Sequence, residues 1–91
     1  MAEPTRPAGR ALVQVRLFAG ARAAAGTAQE SVTVDGDALV ADVLELAVGA
    51  HPGLARVLPA CSFLLDGVSA RPEQPVGDAT TLDVLPPFSG G

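Results

Sequence analysis

An α+β fold, in which a mixed sheet wraps one main helix, is what the pattern of this chain predicts, and three observations carry that expectation. Segments with the two-residue period of strands stand near both ends of the chain, around Val13 and around Leu82. Only one stretch, from about Ala38 to Val48, has both the apolar spacing and the length of a substantial helix. The 91 residues leave room for a single domain with a modest core. One helix can cover one face of one sheet, and in such a roll the first and last strands lie side by side at the sheet centre.

Taken in order, residues 1–10 combine two prolines, a glycine and charges without periodicity, which predicts a disordered N-terminal tail. The folded domain is expected over residues 11–85. Ala11 to Phe18 alternates Val13, Val15 and Leu17 on one face with Leu12, Gln14, Arg16 and Phe18 on the other, which is a strand. Ala19 to Ala25 is alanine-rich and good for about two helical turns, closed by Gly26. Glu30 to Val34 is a second strand with Val32 and Val34 facing in.

Asp35-Gly36 makes a turn, and Asp37 is the expected N-cap of the main helix. Its apolar set is Leu39, Val43, Leu46, Ala47 and Ala50, with Asp42 and Glu45 on the solvated side. Gly49 and Pro52 stop it, and Leu54 to Leu58 forms one further turn before Pro59. Ser62 to Leu65 reads as a third strand, Asp66-Gly67 as a tight hairpin turn and Val68 to Ala70 as the return strand. Gly77-Asp78 marks a turn, and Thr81 to Leu85 alternates again as the last strand.

Composition narrows the function. Apolar residues make up 48% of the chain and charged residues 18%, which is globular rather than disordered. With Phe18, Phe63 and Phe88 as the only aromatic residues, the core must be built from Val, Leu and Ala. A net charge of -4 argues against nucleic acid as a partner, because that binding depends on Lys and Arg neutralising phosphates. A basic protein partner fits better. The six cations are all arginine, so the chain has no lysine to accept an isopeptide bond. A single cysteine, Cys61, excludes an internal disulfide and fits a reducing compartment. No apolar run is long enough for export or membrane spanning, so a cytoplasmic location and no membrane partner are expected.

The last strand leads directly into Pro86-Pro87-Phe88-Ser89-Gly90-Gly91, expected to leave the body as an extended C-terminal tail over residues 86–91. The prolines fix their own φ and extend the residue before each of them. Gly90 and Gly91 let a free carboxylate pass a channel too narrow for side chains, and Phe88 gives a partner one apolar handle. Gly91 is therefore the residue whose carboxylate the tail would present to a partner, with Pro86, Pro87, Phe88, Ser89 and Gly90 as candidate partner-binding residues.

Val15-Arg16-Leu17-Phe18-Ala19, Ala24-Ala25-Gly26, the Gly77-Asp78 turn and the ending Pro86-Pro87-Phe88-Ser89-Gly90-Gly91 resemble the small subunit of molybdopterin synthase, a ubiquitin-like sulfur carrier. The resemblance spans roughly Val13 to Gly91 and is most specific in the Pro-Pro-x-Ser-Gly-Gly ending. Position x is Phe88, where the family usually has a small aliphatic residue, and Leu65-Asp66-Gly67 stands where many members have an asparagine-containing turn. It implies a β-grasp fold and a carrier that binds no cofactor of its own. A ubiquitin-activating-like adenylyltransferase would use ATP to adenylate Gly91, and a sulfur donor would convert it to a thiocarboxylate. The large subunit of the synthase would then pass the sulfur to a pyranopterin. Such a carrier would be a subunit of a sulfurtransferase complex and not catalytic alone.

Other candidates read as structural. Cys61 adjoins the apolar Phe63-Leu64-Leu65 run and behaves as a small hydrophobe. His51, just past a helix end, suits capping or solvent, and no Ser-His-Asp set or ligand-spaced metal set exists. Asp35, Asp37, Asp42 and Glu45 form a solvated face or steer a basic partner. Two alternatives stay open: the same carrier chemistry serving thiamine, cysteine or thio-nucleoside synthesis, or a non-catalytic β-grasp binding module.

Overall fold

In the computed structural model, which describes residues 9–87, a five-stranded mixed sheet carries the helices on one face. The elements run β1 (Arg10–Leu17), α1 (Ala19–Ala25), β2 (Gln29–Asp35), α2 (Val40–Ala50), two 3-10 turns (Pro52–Arg56 and Leu58–Ala60), β3 (Ser62–Leu65), β4 (Val68–Ala70) and β5 (Thr81–Leu85). The sheet order is β2-β1-β5-β3-β4, so the last strand in sequence is the middle strand in space. It pairs parallel with β1, Val15 opposite Leu82 and Leu17 opposite Val84, and antiparallel with β3, Phe63 opposite Val84. The expected pairing of first and last strands at the sheet centre is therefore present. The expected disorder of residues 1–10 falls almost wholly outside the described residues.

The alternation of the strands sorts their side chains. Val13, Val15 and Leu17 of β1, Val32 and Val34 of β2, Phe63 of β3 and Leu82 and Val84 of β5 are buried beneath the helices. From α2 they meet Val40, Val43, Leu44 and Ala47, and from the first 3-10 turn the fully buried Leu54. Ala21 brings α1 into the same cluster. As the composition requires, this core is almost wholly aliphatic, with Phe63 its one buried aromatic among the described residues.

The main helix departs from the sequence reading at both ends. It starts at Val40 with Leu39 as N-cap, two residues later than Asp37 predicts. The cause is Asp42, whose Oδ2 accepts the Leu39 N–H at 2.8 Å, while the Asp42 N–H donates to the Leu39 carbonyl at 2.9 Å. The first two helical donors are met from outside the helix, the Val40 N–H by the Gln74 carbonyl and the Ala41 N–H by the Pro72 carbonyl, each at 2.8 Å, so no N-cap side chain is needed. The buried stripe is Val40, Val43, Leu44 and Ala47. Leu46 lies about a third of a turn off that stripe and is 50% exposed, and Ala50 is exposed too, so neither joins the core as expected. Gly49 does not stop the helix; it ends at Ala50, with His51 as C-cap ahead of Pro52.

Packing between α1 and the first 3-10 turn is tight enough to demand glycine at one position. A Cβ built on Gly53 would stand 2.6 Å from the carbonyl oxygen of Ala24. The β3–β4 hairpin turns at Asp66 and Gly67, both with positive φ (46° and 84°), as a two-residue turn of this hand requires.

Asp66 also clips the hairpin to the start of β5. Its Oδ1 accepts from the N–H groups of Thr80 and Thr81 at 3.0 and 2.9 Å and from the Thr81 hydroxyl at 2.9 Å. The bond from the Thr81 N–H leads the effects that hold this carboxyl below its usual pKa. A depressed pKa stabilises the folded state at pH values above the ordinary carboxylate range, and that stabilisation is lost as pH falls through the depressed value. Asp66→Asn, which tolerates the left-handed backbone, should melt at a lower temperature than the parent at pH 7 and at nearly the same temperature in strong acid. Equal melting temperatures at pH 7 would dismiss the clip.

Among the described residues no helix is long and apolar enough to cross a membrane.

Candidate functional site: the root of the C-terminal tail

β5 is fixed on both edges. Its Leu82 and Val84 are fully buried on the helical side, while Thr81, Asp83 and Leu85 face the other side of the sheet. Leu85 lies opposite Ser62 of β3, and the Val84 carbonyl accepts the Phe18 N–H at 3.3 Å where β1 passes into α1. Beyond Leu85 the pairing stops. Pro86 is half-buried and Pro87 exposed, both outside regular structure. The remaining candidate residues Phe88, Ser89, Gly90 and Gly91 lie outside the described residues. Of the predicted site, the structure therefore places the root: a strand held at the centre of a rigid sheet that delivers two prolines to the surface.

The sheet face away from the helices holds a group that sequence reasoning missed. Arg16 and Asp83 lie opposite each other in the parallel β1–β5 register. Their side chains form a bidentate ion pair, Nε donating to Oδ1 at 2.6 Å and one terminal nitrogen to Oδ2 at 3.0 Å. This hydrogen bonding, and then the carboxylate charge, raises the Arg16 pKa further. The sequence did hold a signal, because Asp is depleted in strands and Thr81-Leu82-Asp83-Val84-Leu85 places one mid-strand. Its partner, however, could be named only from the register.

The other candidates fall where structural roles suffice. The Cys61 thiol donates to the Val57 carbonyl at 3.1 Å, and burial pushes its pKa up, so it stays a thiol rather than the nucleophilic thiolate. His51 caps α2 through its N–H to the Ala47 carbonyl at 2.8 Å. Its Nε2 also lies 2.8 Å from Oε1 of Glu30, tying the helix end to β2. Asp35, Asp37, Asp42 and Glu45 line a shallow groove of about 350 Å³ together with Arg10. Asp42 is committed there to the helix start. No group of three or more His, Cys, Asp or Glu side chains able to hold a metal occurs among the described residues.

Comparison with known proteins identifies the class. The model of the ThiS family matches residues 15–91, from the middle of β1 through the terminal glycines. The chain belongs to the ThiS family. Membership makes it a ubiquitin-like chain of the sulfur-carrier type, and the sheet wrapped on a helix is the β-grasp fold that the sequence resemblance implies. Over 81 residues it is 31% identical to the molybdopterin synthase sulfur carrier subunit of Chlamydomonas reinhardtii, covering 87% of this chain and 98% of that one. Over 84 residues it is 39% identical to small archaeal modifier protein 1 of Haloferax volcanii, covering 84% and 97%. The crystal structure of that archaeal protein superposes with a TM-score of 0.79 at 35% identity, over 88% of this chain and 99% of the other. A Helicobacter pylori complex of subunits 1 and 2 of molybdopterin-converting factor contains a chain of the same fold, at 23% identity and a TM-score of 0.57, over 88% and 99%.

Proposed function

We propose that this chain carries sulfur on its C-terminal Gly91 for the synthesis of molybdopterin. The observation that supports it best is the placement of β5. A carrier must present its terminus at a fixed height above a rigid body, and the central strand, clamped by β1 and β3, leads straight to Pro86 and Pro87. The family match runs through Gly90-Gly91, so the glycine end lies within the ThiS pattern.

The chemistry follows from the carboxylate. Its oxygen is a poor leaving group, so an adenylyltransferase first joins Gly91 to AMP, releasing pyrophosphate from ATP. A sulfur donor then displaces AMP, leaving a thiocarboxylate whose sulfur is a much better nucleophile than a carboxylate oxygen. Attack by that sulfur on a pyranopterin carbon forms a C–S bond as the activated oxygen substituent of that carbon departs, and hydrolysis of the resulting thioester leaves sulfur on the pterin and returns the Gly91 carboxylate. The acids, bases and cations for these steps come from the partners, with the larger synthase subunit seating the tail.

Intact mass spectrometry of the protein with its natural terminus, with fragmentation localising the mass gain of one oxygen-to-sulfur exchange to Gly91, tests this reading. A Gly91 that stays a plain carboxylate after incubation with ATP, sulfide and the host adenylyltransferase would refute it. Phe88→Ala should leave the melting temperature unchanged while weakening binding to the larger subunit about tenfold or more, the effect of removing an aromatic anchor. Unchanged affinity by calorimetry would remove Phe88 from the interface.

The similarity to small archaeal modifier protein 1 favours one second reading. The same acyl-adenylate, attacked by an amine instead of sulfur, would join Gly91 to another protein. This chain has no lysine and so offers no side-chain amine for chains of itself. Single additions to other proteins, found as Ser-Gly-Gly remnants after chymotryptic cleavage at Phe88, would distinguish this use from sulfur transfer.

A further inference from the structure

We propose that Arg16, held in place by Asp83, is a specificity-determining contact of this carrier, presenting its outward N–H groups to a carboxylate on the larger synthase subunit. The inference rests on the carrier reading above and adds to it a residue, a face and the chemistry of the partner surface.

The pair is costly where it stands. Asp is among the least favourable residues in a strand, and Asp83 lies in the middle of the central one with only 7% of its surface exposed. The one side chain that satisfies it among the described residues is Arg16. A partly buried ion pair of this kind adds little net stability over apolar or β-branched residues of similar size, because desolvation offsets the attraction. A residue choice that breaks a local rule with little gain in stability marks a place where something other than folding is served.

What the pair does achieve is a fixed, outward-facing guanidinium. Of the five N–H donors of arginine, Asp83 takes two, leaving the other terminal nitrogen and one further N–H. The Arg16 side chain is 48% exposed, so those donors have access to a partner. Anchoring by Asp83 removes most of the rotamer freedom that a free arginine would lose on binding.

The surroundings define the complement. Gln14, whose Oε1 accepts from the Ser31 hydroxyl, flanks Arg16 along β1 with the 63% exposed Leu12 beyond it, and the half-buried Leu64 and Leu85 flank Asp83. Asp37, Asp42 and Glu45 instead line the groove beside α2. The open sheet face thus sets a fixed cation among neutral polar and apolar side chains on a chain that is acidic overall. A partner lysine here would be repelled by the guanidinium that stands over the buried Asp83 carboxylate, whereas a carboxylate would meet free, directed N–H donors. The face also adjoins the tail: Asp83 is two residues before Leu85 and four before Pro87, on the strand that the receiving protein must approach.

The test replaces both partners at once, Arg16→Thr with Asp83→Thr, two residues that suit a strand and leave no unpaired charge. Calorimetric titration with the larger subunit should show about tenfold weaker binding with a smaller salt dependence, while the melting temperature stays near that of the parent. Arg16→Gln, which keeps a donor to Asp83 and loses the charge, should show the same loss and guards against misfolding of the double variant. Parent-like affinity in either folded variant overturns the inference and leaves the carrier reading intact. A parent chain that does not bind the larger subunit at all overturns both.

Discussion

A chain carrying one additional residue after Gly91 is expected to fold with an unchanged melting temperature and to yield no thiocarboxylate. The proposed chemistry resides in one atom group, the terminal carboxylate, and the added residue buries it in a peptide bond that no adenylyltransferase can activate. Any side chain beyond glycine at that end also has to enter a channel that the paired glycines are suited to pass. The loss should therefore be complete rather than graded, read as absence of the mass gain at the C-terminus and absence of sulfur transfer in a reconstituted reaction. A binding module whose tail is incidental predicts the opposite, with activity surviving both this extension and removal of Gly90-Gly91. Retention of sulfur transfer by the extended chain would end the carrier proposal.

Leu82→Ala should unfold the protein more readily than any surface change. Leu82 is fully buried on the central strand, where it lies between Val15 of β1 and Leu65 of β3 in the register. Truncating such a side chain removes its transfer free energy and leaves a cavity that strands paired on both sides cannot collapse, a cost of about 3 kcal/mol. For a domain of this size that corresponds to roughly 12 to 24 °C in melting temperature, a large part of its total stability. Because the same strand is the root of the tail, partner binding should fall with the folded fraction. A shift of only a few degrees in a thermal melt would show that the core around β5 is looser than the burial implies.

Much of this architecture could be read from periodicity. Val13, Val15 and Leu17 alternate so cleanly that β1 was legible to within a residue, and Asp66-Gly67 between apolar runs specified its hairpin turn. The start of α2 was not legible, because two acidic residues competed to cap it. Asp37 has the favoured position by sequence, but Asp42 satisfies the Leu39 N–H from within the first turn, and only the folded geometry decides between them. That shift also misplaced Leu46 and overlooked Leu44, since the helical pattern holds more apolar residues than one buried stripe can use.

The candidate site was legible in a different way. The tail announced itself through composition, Pro-Pro followed by Gly-Gly, and the structure adds that its root is the middle strand. The Arg16–Asp83 pair was out of reach because its members are 67 positions apart and meet only through the parallel β1–β5 register. Pairing across such a separation leaves no local signal beyond an acidic residue in an unfavourable place.

The central position of β5 also governs how the protein comes into being. During synthesis β1 is among the first elements to leave the ribosome and β5 the last of those described, yet they are neighbours. Until β5 emerges, β1 and β3 each hold an open edge and the core lacks Leu82 and Val84, so hairpins and helices can form but the roll cannot close. A nascent chain cut short before Thr81 is thus left without a native state, with unpaired strand edges that mark it for aggregation or degradation. Acquiring the fold and acquiring the root of the tail become a single event, so the pool of folded protein contains no tailless competitors made by premature termination before that strand.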